Sequence, residues 1–411
     1  MTEASVRSII TIVVCKNDFA ERIGIMTYQK NFHHRHSMDF HRLLSELLLL
    51  IRKNIVLTVA IVLAIVTSCI VPPDAQYADY FDWKTLTCLF CTLAVVCALK
   101  NIKFFTILAR KIVDCTGNLR VAVIALVYIT FLGSMLISND MALLTFLPLG
   151  FFVLTSTGKQ KHMAFVFIMQ NIAANLGGML TPFGNPQNLY LYSKFNIPTG
   201  EFMMIMLLPF LASIALITIC CLFLPRDKLS ITEECPHKLP PMRTVLYLVL
   251  FALSIIIVFR FIPYWIGLVV IPLILFFADR GALKNVDYGL LATFFCFFIF
   301  AGNMARIPAV NMLLSSLLEQ NTLLVSILSC QVISNVPSAI LLSQFTTNYP
   351  ALLLGVNIGG TGTLIASLAS LISFREYTAH NPGKAGSYLA KFSAYNFGFV
   401  ILLTALCYLI V

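Results

Sequence analysis

Residues 175–188 read Asn-Leu-Gly-Gly-Met-Leu-Thr-Pro-Phe-Gly-Asn-Pro-Gln-Asn, with apolar sequence on either side. Regular helix does not survive this run. Pro182 and Pro186 remove amide donors and crowd the preceding turn, while Gly177, Gly178 and Gly184 relax the backbone. A second break begins at Gly355 and runs through Asn357-Ile-Gly-Gly-Thr-Gly-Thr363. Two helices are therefore expected to be discontinuous. The ends of such half-helices offer N–H groups to an anion, and the freed carbonyls with Asn or Thr oxygens suit a small cation.

A polar tip precedes each break. Val121–Ile137 is apolar, Ser138-Asn139-Asp140 is polar, and Met141–Leu154 is apolar again. The counterpart is Leu323–Ile333, Ser334-Asn335, then Pro337–Phe345. The tight turns predict two re-entrant hairpins, since irregular backbone persists at membrane depth only inside protein or beside a water-filled cavity. Asp140 is the only carboxylate placed deep in apolar sequence, so it reads as functional: a ligand for a coupling cation, or the carrier of a coupling proton. A helix cap for the leg beginning at Met141 is the plainer role for it.

Hairpin tip and broken helix thus occur twice, and a third match strengthens the pairing. Phe81–Cys91 (FDWKTLTCLFC) parallels Val286–Cys296 (VDYGLLATFFC). The copies run over residues 54–225 and 244–411, joined by a charged, proline-containing linker at 226–243. An odd number of crossings between matched spans makes the repeats inverted, an arrangement common in secondary transporters.

Composition names the solvent. Apolar residues are 59% and charged residues 11% of 411 positions, and mean hydropathy is +0.89. A soluble domain carries about 25% charged residues. Long continuous apolar runs without barrel-type alternation predict an all-α polytopic membrane protein. About nine spans are expected besides the hairpins, near 55–71, 85–100, 162–190, 201–225, 244–260, 263–279, 286–304, 351–374 and 392–411. With the N-terminus in the cytoplasm and the C-terminus external, 24 of the 28 Lys and Arg fall inside, leaving Lys84, Lys194, Arg260 and Arg306 outside. The net charge of +10 is then topological and argues against nucleic acid as a partner. The 12 cysteines sit mostly within spans and read as small hydrophobes.

Residues 1–53 form the expected cytoplasmic tail, ending in an interfacial helix with Phe40, Leu43, Leu44, Leu47, Leu48 and Ile51 on one face. Residues 1–37 show no cleavable signal pattern, and Met38 is a candidate start. His33, His34, His36 and His41 read as solvated rather than metal-binding. Short loops and the absent targeting pattern favour a bacterial plasma membrane. Amphipathic segments at Phe104–Val113 and Val310–Leu318 precede the two hairpins as surface arms.

Paired Ser-Asn tips, each followed by an Asn-x-Gly-Gly break, resemble the ion transporter superfamily, which includes divalent anion/sodium symporters, citrate transporters and arsenite permeases. The strings SNDMALLTFLPL, LTPFGNPQNLYLY and GVNIGGTGTLIAS are similar to its citrate-transporter-like permeases, and the resemblance covers residues 54–411. It implies a small anionic or oxyanion substrate contacting Asn139, Asn335, Thr181, Pro182, Asn185, Thr361 and Thr363. It implies a coupling cation held by Ser138, Asn139, Asp140, Asn175, Gly184, Ser334, Asn335 and Asn357. No cofactor beyond a coupling sodium, elevator-type movement and a homodimer are further implications. Dicarboxylate members carry Ser-Asn-Thr at both tips, whereas Asp140 and Val336 stand here; an Asn-Asp tip is closer to arsenite permeases.

The leading expectation is therefore secondary active transport of a small anion, coupled to sodium or protons. A channel filtering through the hairpins is the rival reading. A membrane enzyme is disfavoured, because no embedded Ser-His-Asp, His-Glu or paired-carboxylate set appears and His162 reads as interface.

Overall fold

The structure, a computed structural model, describes residues 55–114, 116–228 and 239–408. The expected interfacial helix, the His33–His41 cluster and much of the linker lie outside the described residues. Seventeen α-helices, and no strand, occur among the described residues. They are α1 (Ile55–Ile70), α2 (Trp83–Asn101), α3 (Phe104–Asp114), α4 (Leu119–Ile137), α5 (Asn139–Ser156) and α6 (Met163–Gly177). Then come α7 (Pro186–Lys194), α8 (Thr199–Leu222), α9 (Pro241–Val258), α10 (Tyr264–Ala278), α11 (Arg280–Lys284) and α12 (Tyr288–Ala305). The last are α13 (Pro308–Ile333), α14 (Asn335–Leu342), α15 (Tyr349–Gly359), α16 (Leu368–His380) and α17 (Ala385–Cys407). The protein is an all-α polytopic membrane protein.

Nine of the described helices are long and apolar enough to cross a membrane. Their membership differs from the nine expected spans. The hairpin legs α4, α5 and α13 qualify by length and composition, whereas α1, α10 and α15 are shorter apolar helices.

The described chain forms two compact units. The smaller comprises residues 55–81 and Asp287–Ile307. Here α1 packs on α12, with Asn303 Nδ2 donating to Thr67 Oγ1 at 3.3 Å and to Ser68 Oγ at 3.2 Å. Phe81 stacks on Phe295 with ring centroids 4.2 Å apart. Arg306 grips Asp74 through both terminal nitrogens, at 3.0 and 2.6 Å. That guanidinium holds the Asp74 carboxyl below the usual carboxylate range. Ile55, Val59, Val62 and Val66 of α1 face outward, as lipid contact requires.

The larger unit comprises Asp82–Val286 and Pro308–Val411. Every residue of α6 except Phe165 is buried, so this helix is its centre. Apolar side chains such as Leu211 and Ile219 of α8, Val249 of α9 and Ile401 of α17 cover its outside.

Loops and helix ends of the larger unit gather into two groups. In one, Leu119 N donates to Asp227 O at 2.8 Å, Lys159 pairs with Asp227 at 2.6 Å, and the His380 ring lies tilted against Phe151 with centroids 3.8 Å apart. Asn101 there donates to Asp279 at 3.0 Å. In the other, Arg260 binds Tyr192 O, Lys194 reaches Gln344 at 3.4 Å, and Tyr349 donates to Glu201 at 2.5 Å. The first group holds residues expected inside and the second residues expected outside. The chain passes from the first group to the second along α6 and α7, and from the second to the first along α15 and α16.

Candidate functional site

The two hairpin tips share one backbone geometry. Ser138 has φ 70° and ψ 155°, and Ser334 has φ 75° and ψ 160°. Neither is glycine, so each tip holds a left-handed φ that side chains rarely adopt, at a cost of order 1–3 kcal/mol. Each serine occupies the cap position, without a side-chain cap bond, of a new helix whose first residue is asparagine. Asn139 Oδ1 accepts from Asp140 N at 3.0 Å, and Asn335 Oδ1 accepts from Val336 N at 2.9 Å. The capping position is thus Ser138. Asp140 lies in the first turn of α5, half-buried, where the helix dipole favours a carboxylate. That corrects the expectation of Asp140 as the cap: the helix begins two residues before Met141, at Asn139.

The first break follows the sequence closely. Helix α6 ends at Gly177, a single tight turn covers Gly178–Leu180, and Thr181 is extended at φ −110° and ψ 143°. Gly184 N closes a turn on Thr181 O at 3.2 Å. A Cβ on Gly184 would stand 2.3 Å from Gly178 O, so only glycine fits. Buried Pro182 lies in the turn, and α7 restarts at Pro186, where proline needs no donor. Asn188 Nδ2 serves the freed carbonyls of Gly178, Met179 and Thr181 at 3.1, 3.2 and 3.3 Å.

The second break starts later than the sequence suggests. Gly355 remains inside α15, which runs to Gly359. Its missing Cβ makes room for Ser326, and that of Gly359 for Cys330; both glycines pack α15 against α13. The chain turns at Gly362, with φ 119°. Gln331 Nε2 donates to Gly359 O at 2.9 Å and Thr361 O at 3.3 Å, and Gln331 Oε1 accepts from Thr363 N at 2.8 Å. Thr363 Oγ1 donates to Gln331 O at 3.1 Å, as Thr181 Oγ1 does to Met135 O at 3.2 Å. Thr361 is fully buried and spends its hydroxyl on Ile358 O at 2.6 Å.

Tips and breaks meet at Asn175. Its Oδ1 accepts from Asn139 Nδ2 at 3.2 Å and from Ser367 Oγ at 2.7 Å. The neighbouring Ala366 O accepts from Asn335 N at 3.0 Å and Ser334 Oγ at 3.3 Å. One route of hydrogen bonds therefore runs from the first tip through the first break to the second break and second tip. A return link joins Asn357 Nδ2 to Asn188 Oδ1 at 2.6 Å. Asn185 Nδ2 reaches Asn175 O at 3.4 Å.

At the breaks, three amide oxygens are buried without a hydrogen-bond donor: Asn185 Oδ1, Gln187 Oε1 and Asn357 Oδ1. All three residues are 1% exposed. A cavity of about 20 Å³, lined in part by Ser138, Phe183, Asn185 and Pro186, adjoins the first tip. It has room for one water-sized particle.

Every residue expected at the coupling site sits at these tips and breaks. Of the expected substrate residues, Thr361 faces its own helix end, while Thr181 and Thr363 brace the breaks on the hairpin legs. Sequence reasoning did not assign Gln331, Ser367 or Asn188. The signal for Gln331 was an isolated amide three residues before Ser334 in an apolar leg.

Apolar spans, buried polar breaks and paired tips define a membrane transporter. The chain belongs to the citrate transporter family, whose sequence model matches residues 46–354. It is 32% identical over 295 residues to an uncharacterized transporter of Methanocaldococcus jannaschii, covering 72% of this chain and 81% of that one. Similarity to the inner membrane protein YbiR of Escherichia coli K12 is 30% over 307 residues, covering 72% and 80%. An uncharacterized transporter of Haemophilus influenzae is 31% identical over 180 residues, covering 41% and 38%.

Proposed function

We propose that the protein is a secondary active transporter that moves a small carboxylate or oxyanion, coupled to sodium or protons. The carrying observation is the network at Asn175, together with the donor-less oxygens of Asn185 and Asn357. A buried polar atom without a partner costs about 1–3 kcal/mol. Two of them, both at helix breaks, are suited to a partly dehydrated cation that replaces the missing donors. Asp140, in the first turn of α5, supplies negative charge for that cation or takes up the proton itself. The starts of α5, α7 and α16 offer N–H groups to the anionic cargo. No metal beyond the coupling ion enters this reading.

The opposite courses of α6–α7 and α15–α16, and the matched angles of Ser138 and Ser334, support inverted repeats with re-entrant hairpins. In this reading the hairpins and breaks move as an elevator against the remaining helices. Helix α3 and the first part of α13, which bends at Asn321, act as arms. We place the N-terminus in the cytoplasm and the C-terminus outside a plasma membrane, with two copies forming a dimer. One feature favours a second cargo. A carboxylate at position 140 repels a dianion, which suits an arsenite-type substrate.

Uptake into proteoliposomes of labelled citrate, succinate, sulfate and arsenite, under sodium and proton gradients imposed separately, tests the reading. One cargo should accumulate under one gradient, and Asp140→Asn should abolish the coupling. Non-saturating uptake without any gradient would make the protein a channel instead.

A further inference from the structure

The cavity of about 20 Å³ beside the first tip is walled partly by α2, a helix that the transport reading leaves without a role. Thr92 of α2, Ser138 of the tip and Asn185 of the break all line it. Thr92 Oγ1 and Asn185 Oδ1 are both buried without a hydrogen-bond partner. A threonine within a helix commonly returns its hydroxyl to the carbonyl four residues back. Thr67, Thr130 and Thr145 do so here, at 2.8, 2.8 and 2.7 Å. Thr92, in the cavity wall, makes no such bond.

Size and donor chemistry narrow the occupant. The space takes one water-sized particle and is too small for a carboxylate or an oxyanion. Pro186, which opens α7 and also lines the cavity, brings no N–H to it. Asn185 Oδ1 only accepts, and the hydroxyls of Thr92 and Ser138 carry lone pairs as well as protons. Oxygen ligands around so small a space suit a hard cation. Asp140, two residues beyond Ser138, adds a carboxylate to the same tip.

The second repeat closes the matching place. Asn335 N and Ser334 Oγ both donate to Ala366 O, whereas among the described residues no such bond ties Ser138 or Asn139 N to Gly184 O, the matching carbonyl. Ser367, which matches Asn185 as the cap of a restarting helix, spends its hydroxyl on Asn175 Oδ1. Gln331 Nε2 lies against three carbonyl oxygens, those of Ile327, Gly359 and Thr361, at 3.0, 2.9 and 3.3 Å. An amide nitrogen thus stands where a cation would among them. Met135 holds the matching position in the first hairpin and has no donor to offer. In the sequence repeat, Phe297 matches Thr92 and Val336 matches Asp140. We propose that each chain binds one sodium ion, in the cavity at the first tip. Thr92 Oγ1, Ser138 Oγ and Asn185 Oδ1 are its ligands, and Gln331 fills the counterpart in the second repeat. This rests on the reading above that a cation drives transport.

The test is equilibrium binding of radioactive sodium to the purified full-length chain in detergent, with choline holding the ionic strength constant. Wild type should bind one sodium per chain. Thr92→Val keeps the side-chain shape and should raise the half-saturating sodium concentration about tenfold, the worth of one contact to a charged group. In sodium-free buffer the same variant should melt no lower than wild type, because the hydroxyl it loses is buried and unpartnered. Ser138→Gly should weaken binding far more than Ser334→Gly; glycine accepts the positive φ at both tips, so both variants should fold. Two sodium ions per chain, or none, overturns the proposal. So does wild-type affinity in Thr92→Val and Ser138→Gly, which makes the cavity a water site, or an equal effect of Ser334→Gly. The transport reading fails separately: one bound sodium with no gradient-driven uptake removes that reading and leaves this site, whereas proton-driven uptake without sodium binding does the reverse.

Discussion

Replacing Asn175 with alanine should destabilise the protein more than replacing its donor Ser367 does. The side chain is 2% exposed, and its oxygen accepts from Asn139 Nδ2 at 3.2 Å and Ser367 Oγ at 2.7 Å. Asn139 is 4% exposed and Ser367 fully buried, so water cannot replace the lost acceptor. Each stranded buried donor costs about 1–3 kcal/mol. Membrane side-chain hydrogen bonds measure lower, near 0.6 kcal/mol on average, because the unfolded chain in the membrane also finds partners. The third bond, from Asn175 Nδ2 to Asn171 O at 3.1 Å, adds little, since that carbonyl keeps its place in the helix ladder. Two stranded donors give an expected loss of about 2–4 kcal/mol. Ser367→Ala removes one donor while Asn175 keeps Asn139, so its cost should be about 0.5–1.5 kcal/mol. Equilibrium unfolding in mixed micelles, read by tryptophan fluorescence and far-ultraviolet circular dichroism, compares the two. Equal losses for Asn175→Ala and Ser367→Ala would refute the idea that Asn175 joins the two tips.

Further outcomes follow from neighbouring residues. Gly184→Ala should cut uptake at least about tenfold, because its Cβ would stand 2.3 Å from a backbone oxygen that cannot yield; Gly200→Ala, which meets nothing within 4 Å, should leave uptake unchanged. Gln331→Leu strips Gly359 O and Thr361 O of a shared donor and should lower initial uptake rates with a smaller change in thermal midpoint. The Asp227 carboxyl is held below its ordinary range by the hydrogen bond from Lys159. A depressed folded pKa contributes stability above the unfolded value near 3.9 and loses it as pH falls through the folded value. Thermal midpoints measured from pH 7 down to 3 should therefore drop less steeply for Asp227→Asn than for wild type.

Much of the site was written locally in the chain. The tips announced themselves because Ser-Asn interrupts apolar legs, and the first break because Pro182, Gly184 and Pro186 leave no helical alternative. The second break lies later than the glycine pattern implies, because Gly355 stays inside α15. Gly355 relaxes backbone and also admits a neighbouring helix, and sequence does not say which; here Ser326 fills the space. Gln331 and Ser367 escaped for a different reason. Their partners are Gly359 O, Thr361 O and Asn175 Oδ1, which lie 28, 30 and 192 residues away. No local pattern encodes pairings at that range. The hairpin legs were legible as apolar segments, yet α4 and α5 are also long enough to span, so hydropathy alone does not set their depth. The compact units were not legible at all. Pairing α1 with α12 depends on Asn303 meeting Thr67, more than two hundred residues earlier.

The central claim is that the two Ser-Asn tips form one coupled transport site. Gradient-driven uptake in proteoliposomes, compared between wild type and the double variant Asn139→Ala with Asn335→Ala, tests it most directly. Uptake should fall to the level of empty liposomes while the double variant still inserts and purifies as a folded protein. Wild-type uptake by that folded variant would contradict the account.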